Sequence, residues 1–218
     1  DRMAIAANVN LLREAGFTYG QGGENGSLRS SLKVQRYQTL QDPANPYITP
    51  PYASLPKLTL QGKRTLPYDF TALFSSDFSA FSHPTQQEGN RFVVYPQLNW
   101  EQETMWGYIR PQLGVHYTQY QLTPFNSDPA RTLTRSLPIG SIDGGLFFER
   151  ETTFQHQNYL HTLEPRLYYV YIPTRVQSQF PNFDTSLNDP GFAQLFTENR
   201  FSGEDRINGA NQISAGLT

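Results

Sequence analysis

Between residues 91 and 123 polar and apolar side chains trade places at almost every step. Phe92, Val94, Pro96, Leu98 and Trp100 occupy one parity, and Tyr95, Gln97, Asn99 and Glu101 occupy the other, with Val93 as the aliphatic exception. A short polar connection spans residues 103–107. The alternation then restarts, with Ile109, Pro111, Leu113, Val115 and Tyr117 set against Arg110, Gln112, His116 and Thr118. A period of two sustained on both sides of a tight turn predicts a long antiparallel hairpin with one apolar and one polar face.

The same pattern runs along the rest of the chain. Ile5, Ala7, Val9 and Leu11 alternate with Asn8 and Asn10, in phase with Phe17 and Tyr19, and predict a first strand, with a short helix over residues 3–15 as its rival. Asn25-Gly26 is a hairpin turn signal. Strands are predicted over residues 29–38, 55–64, 67–82, 134–150, 159–172 and 212–218. Gly140, Gly144 and Gly145 predict a bulge or bend in the 134–150 strand. Connections alternate in length, long near 45, 86, 129 and 190 and short near 23, 65, 104 and 154. Long loops on one rim and tight turns on the other are the arrangement of outer-membrane barrels, whose long loops are extracellular.

A soluble sandwich would give the same alternation, so the solvent on each side has to be argued. The predicted strands run to roughly 10–17 residues, against about 5–6 in soluble sheets and about 9–11 for a membrane strand. Tyr95, Trp100, Trp106, Tyr108, Tyr120, Tyr159 and Tyr171 gather near strand ends, as an interfacial girdle requires. Charges at Arg110, Glu164 and Arg166 sit in mid-strand on the polar parity, which suits a wet lumen. A sheet in lipid must close on itself, and about nine strands do not obviously do so.

Composition narrows the field. Charged residues make up 17% of the chain, below the roughly 25% of soluble domains, and the mean hydropathy is −0.56 despite 15 Phe and 13 Tyr. No apolar run approaches the ~18 residues of a membrane helix, which is silent about barrels. A net charge of −2 without a basic cluster argues against a nucleic-acid partner. There is no cysteine, hence no disulfide or thiolate metal site. Asp1 is not followed by a signal-peptide pattern, which is read as a processed chain or a piece of a longer one.

Five prolines (Pro56, Pro96, Pro111, Pro138 and Pro165) share the apolar parity of predicted strands. They are read either as marks of local bulges or as residues tolerated where strands begin. Candidate chemistry is sparse, and no catalytic or metal residues and no cofactor are assigned. Gly140-Ser-Ile-Asp-Gly lacks the spacing of a nucleophile elbow. His156 and His161 would face opposite sides of one strand. His116 reads as a solvated lumen residue. Asp184, Asp189, Glu204 and Asp205 share a long loop without the spacing of a calcium hand. Asn25-Gly-Ser fits a glycosylation acceptor, but the turn already accounts for it.

Leu163-Glu-Pro-Arg-Leu-Tyr-Tyr-Val-Tyr-Ile-Pro, Gln179-Phe-Pro-Asn-Phe-Asp-Thr and Gln194-Leu-Phe-Thr-Glu-Asn-Arg-Phe-Ser-Gly-Glu-Asp-Arg-Ile, with Ala210-Asn-Gln, closely resemble the LptD family of lipopolysaccharide-assembly proteins of Gram-negative outer membranes (OstA/Imp). Gln35-Arg-Tyr-Gln-Thr-Leu-Gln-Asp-Pro and Leu55-Pro-Lys-Leu look like the same family. The resemblance implies an all-β, up-and-down transmembrane barrel of 26 strands, preceded by a periplasmic jelly-roll domain, with residues 1–218 an interior fragment of the barrel domain. On that reading the jelly roll, the family's cysteines and the terminal strands of the lateral gate lie outside this sequence. The resemblance further implies a non-enzymatic role in lipopolysaccharide transport to the outer leaflet, the lipoprotein plug LptE in the lumen, LptA bridging to the N-terminal domain, and surrounding outer-membrane lipid. Arg110, Gln112, Glu164 and Arg166 are the lumen-lining candidates, on parity alone. Residues 174–211, rich in phenylalanine, are expected to fold compactly against the barrel. A general porin or receptor barrel, a barrel hydrolase and a soluble β module are the alternatives.

Overall fold

A computed structural model of the protein describes residues 9–40, 46–154 and 157–218. Its strands are β1 (Asn10–Gly23), β2 (Gly26–Thr39), β3 (Ala53–Thr65), β4 (Phe70–Ser82), β5 (Gly89–Trp100), β6 (Gln102–Thr104), β7 (Gly107–Leu122), β8 (Arg131–Leu146), β9 (Phe148–Phe154), β10 (Gln157–Leu163), β11 (Pro165–Ile172) and β12 (Ala210–Leu217), with one 3-10 turn at Phe192–Phe196. The wall runs β1-β2-β3-β4-β5-β7-β8-β11-β12, every pair antiparallel, and β6 adds to β7. Each strand of the wall pairs with the next wall strand along the chain, an up-and-down topology. Of the predicted first strand and its helical rival, residues 10–15 lie in β1, and Ile5 and Ala7 fall outside the described residues.

The turn chemistry explains one rim. Gly23 pairs with Gly26 across Glu24-Asn25. Gly26 has to be glycine, because a Cβ there would lie 2.3 Å from the Lys63 carbonyl oxygen of β3. The β3–β4 turn places Tyr68 and Asp69 at φ 61° and 64°, so β4 starts at Phe70 rather than at the expected Pro67. The long connections leave β2, β4, β7 and β11 at Thr39, Ser82, Leu122 and Ile172, all at the opposite rim.

Two strands expected to be continuous are divided. The pairs Arg166–Gly145 and Leu163–Phe148 belong to one register, so β8 with β9 and β10 with β11 form a single long hairpin, interrupted at Phe147 and Glu164. At the interruption the Phe147 N–H donates to the Trp106 carbonyl (2.9 Å), while Glu164 and Thr218 exchange backbone bonds (2.9 and 3.2 Å). Beyond it β9 and β10 pair only with each other and form an exposed ribbon past the tight-turn rim. The expected bulge at the glycines is absent, since β7 and β8 keep one register from Gly107–Leu146 to Leu122–Arg131. Gly145 instead makes room for a ring: a Cβ would lie 2.6 Å from Tyr108 Cε1.

The prolines follow a rule other than the expected bulges. Only Pro56 lies at a register shift, between the pairs Ser54–Phe81 and Lys57–Ser79. The Thr123 N–H reaches Glu88, so odd residues of β7 point their N–H groups at β5. Pro111, which has none, falls between the pairs Asn99–Gln112 and Gln102–Ile109, where that ladder lapses. Pro96 falls in the lapse between Val94–Tyr117 and Gln97–Gly114. Pro138 faces β11 beyond its last paired residue with β8, Tyr171, and Pro165 faces the interruption at Leu146. Each of these last four omits an N–H where one ladder is already open, and keeps its pairing on the other side.

The two faces differ in the sense the alternation predicts. Leu113 (69% exposed) and Leu167 (55%) lie on the apolar face with Phe92, Leu98, Val115 and Ile142, all exposed. The polar face carries Arg91 and Thr118, both at 0%. What covers that face is the 173–209 segment, which lies along it as a strap. The core thus sits between one sheet and its own loop. One cluster gathers Leu137, Ile139, Tyr168, Val170 and Ile172 against Phe196 and Ile207, and a second gathers Phe81, Tyr120 and Leu122 against Phe180 and Phe183.

Candidate functional site on the inward face

The strap is fixed to the wall through one buried arginine. Arg91 of β5 donates to Asp184 (2.6 and 2.8 Å) and Asp205 (2.8 Å) of the strap and to Asp77 of β4 (3.2 Å). Lys57 of β3 stands 3.8 Å from Asp77 and 3.7 Å from Asp184. Asp205, itself fully buried, accepts from the Tyr120 hydroxyl (2.9 Å) and from the N–H groups of Phe183 (2.7 Å) and Asp184 (3.0 Å). That carboxylate ties two strap segments to each other as well as to the wall. Burial pushes the Asp184 carboxyl up, and the Arg91 guanidinium outweighs it, holding the group below the ordinary range.

Arg135 of β8 does for the strap backbone what Arg91 does for its carboxylates. It donates to the carbonyls of Asp205 (2.8 Å) and Glu204 (2.9 Å), to Gln177 (2.6 Å) and to Thr118 (3.1 Å). Gly203, at φ 67°, turns the strap where a Cβ would lie 2.7 Å from the Asp184 carbonyl oxygen. Phe183 stacks on Phe81 (4.4 Å), and Arg91 lies over the same Phe81 ring (5.0 Å). At the rim, burial raises the Tyr52 hydroxyl pKa, and bonds from Ser82 and the His83 N–H lower that of Glu88.

The four residues expected to line the interior are distributed along this face. Gln112 donates to Glu198 of the strap (2.7 Å), a carboxylate that also accepts from Tyr95 (2.7 Å) and Ser141 (3.3 Å). Arg166 grips Asp143 through two nitrogens (2.9 and 2.7 Å) and lies 4.4 Å over the Phe196 ring. Arg110, nearer the tight-turn rim, pairs with Glu101 and Glu103 (3.2 Å to the latter) and stacks on Tyr108. Glu164 is exposed at the interruption between β10 and β11, apart from the other three. His116, expected to be solvated, is buried at 4% and contacts Glu204 at 2.9 Å, because the strap covers it. Of the four loop carboxylates weighed for calcium, Asp184 and Asp205 are committed to Arg91 and Glu204 to His116. No metal-holding group of three or more such residues occurs among the described residues. His161 is exposed on β10, and His156 lies outside the described residues.

Sequence reasoning missed the anchor itself. Arg91, Asp77 and Arg135 share the polar parity with the residues it chose. Their distinguishing signal was position near the long-loop rim, combined with Leu137, Ile139, Val170 and Ile172 placing apolar side chains where a wet lumen would not want them.

An up-and-down antiparallel wall, apolar outside and covered within by its own polar loop, defines a segment of a β-barrel. Residues 2–218 match the model of the LptD family, LPS transport system D, and the chain belongs to that family. It is similar to the LPS-assembly protein LptD of Chromobacterium violaceum, 50% identical over 100% of this chain and 28% of that protein. It is also similar to the proteins of the same name from Neisseria meningitidis serogroup B (45%; 98% and 26%) and Nitrosomonas eutropha (43%; 100% and 30%). The chain spans less than a third of the length of these relatives.

Proposed function

We propose that this chain is part of the wall of an outer-membrane barrel that places lipopolysaccharide in the outer leaflet of a Gram-negative envelope. The observation that carries the reading is the polarity of the wall: leucines such as Leu113 and Leu167 stand exposed on one face, while charged and polar groups are folded under a strap on the other. Hydrocarbon is the solvent that such an outward face fits, and a hydrated interior is what the inward face fits. The relatives' name supplies the cargo. Residues 1–218 then form an interior portion of a 26-stranded barrel domain, following a periplasmic jelly roll that meets LptA, with LptE seated in the lumen.

The work of such a wall is separation rather than bond-making. Arg110, Gln112, Glu164 and Arg166 line the hydrated interior and keep it passable to sugars and phosphates, while the strap narrows its extracellular end. Nitroxides at Leu113, Leu167, Gln112 and Arg166 of the complete, plugged protein in bilayers test the reading. The first two are expected to be relaxed by oxygen and shielded from a water-soluble nickel complex, and the second pair the reverse. Depletion of the protein is expected to stop lipopolysaccharide reaching the surface. Water contact at Leu113 and Leu167 sinks the architecture, and undiminished export on depletion sinks the role.

A further inference from the structure

The outward face of the nine wall strands carries charge at only three positions among the described residues, and all three are arginine: Arg13, Arg36 and Arg64. Their parity follows from the cross-strand ladder. Phe17 opposes Leu32, Leu32 opposes Leu58 and Leu58 opposes Phe78, so Arg13, Arg36 and Arg64 share the side of those apolar residues. Arg64 stands one residue from the end of β3, at the tight-turn rim. Arg13 and Arg36 are different. They are direct cross-strand partners, three pairs in from Asn10–Thr39 at the long-loop end, roughly 10 Å of strand at about 3.3 Å per residue. Leu11, Leu32 and Val34 surround them, all exposed.

Two like charges directly opposite each other repel, and a cation on a lipid-facing wall is unfavourable except near the interface. Nothing on this face answers them. No Asp or Glu occupies the outward parity of the nine strands among the described residues. Arg13 donates to the Gln38 amide oxygen, a neutral acceptor, and Arg36 makes no hydrogen bond or ion pair among the described residues. By contrast the inward cations Arg91, Arg110 and Arg166 are each held by carboxylates. A pair of planar guanidinium forks in an apolar surround, at the depth of headgroups, matches phosphate oxygens bidentately.

We infer that Arg13 and Arg36 form a binding site on the barrel's outer surface for the phosphate groups of a lipopolysaccharide molecule resident in the outer leaflet. This is a lipid beside the wall rather than cargo within it. The inference rests on the reading that the apolar face meets lipid and the long-loop rim is extracellular. Gln38 completes the site as a polar neighbour. The bound glycolipid supplies the negative charge that the protein omits, and its acyl chains lie along Leu32 and Val34.

The test uses the complete protein with its plug in nanodiscs, with a photoreactive phenylalanine analogue at Val34. The discs contain phosphatidylcholine and either phosphorylated lipopolysaccharide or the same glycolipid with its phosphates removed. Crosslinking to the phosphorylated form is expected to exceed that to the dephosphorylated form, and to fall about fivefold or more in R13Q/R36Q. R64Q, at the opposite rim, is expected to crosslink as the parent does. Heat-modifiable migration checks that each variant is assembled, and R36Q alone serves if the double variant is not. Equal crosslinking of the two glycolipids, or a parent-like level in assembled R13Q/R36Q or R36Q, overturns the site while leaving the barrel reading intact. No crosslink from Val34 to any lipid, acyl chains of phosphatidylcholine included, overturns the site together with the reading on which it rests.

Discussion

Arg91 is removed from water completely and faces Asp77, Asp184 and Asp205, with Lys57 at the edge of the group. A buried ion cluster is an ambiguous source of stability, because dehydrating the charges offsets much of their attraction. Removing one member is not ambiguous. Arg91→Met would leave three carboxylates converging on an apolar side chain, at a cost of about 3–5 kcal/mol. Arg110→Met, which breaks a pair with side chains 37% and 45% exposed, is expected to cost about 0–1 kcal/mol. The measurement is the temperature at which the assembled full-length protein loses its compact migration, together with protease cleavage across residues 180–206. Arg91→Met is expected to lower the temperature and open the strap, and Arg110→Met to do neither. Equal resistance of both variants would mean that the strap is held by Arg135 and its phenylalanines rather than by the Arg91 cluster.

At the scale of elements, the prolines show how much a sequence tells and where it stops. Their shared parity was plain, but which neighbouring strand lacked a partner at each of them was not, since that depends on pairing between strands far apart in the chain. Pro111 marks the lapse between β5 and β6, and Pro165 the interruption where β10 gives way to β11. Alanine at either position would add an N–H that finds no ladder acceptor but still reaches water or lipid-interface partners. Pro111→Ala and Pro165→Ala are therefore expected to shift stability by less than about 1 kcal/mol, read as thermal loss of compact migration. A larger loss would mean that the prolines enforce the lapses instead of filling them. The strands themselves and their alternation of long and tight connections were legible, because period two and turn chemistry are local. The strap's path was not. Its phenylalanines announced a folded segment, whereas the ion cluster joins positions 77, 91, 184 and 205, which only the tertiary fold brings together. The division at Phe147 was equally hidden, since it arises from Trp106 and Thr218 capturing backbone groups from outside the hairpin.

At the scale of the whole molecule, the wall has a core on one side only. Its inward side chains bury themselves against the strap, while no described residue covers its outward leucines. Leu113 sits exposed in mid-strand and Leu167 exposed two residues into β11, and an apolar face of nine strands in water would drive association rather than a stable solution fold. The cost of a charge on this face therefore discriminates between solvents. In hydrocarbon, arginine at mid-depth costs about 2–4 kcal/mol and falls toward 0–1 at the rim. In water, the same substitution on an exposed strand position is close to neutral. Leu113→Arg in the full-length protein is thus expected to impair assembly strongly, measured as the fraction reaching heat-modifiable form in the membrane. Gln119→Arg, on the same face of β7 but near the long-loop end, is expected to assemble almost normally, and so is Gln112→Arg on the inward face. The gradient along one strand is the decisive feature, because a soluble sheet has no reason to grade the penalty with distance from its rim. Equal and near-normal assembly of Leu113→Arg and Gln119→Arg would place the outward face in water rather than hydrocarbon.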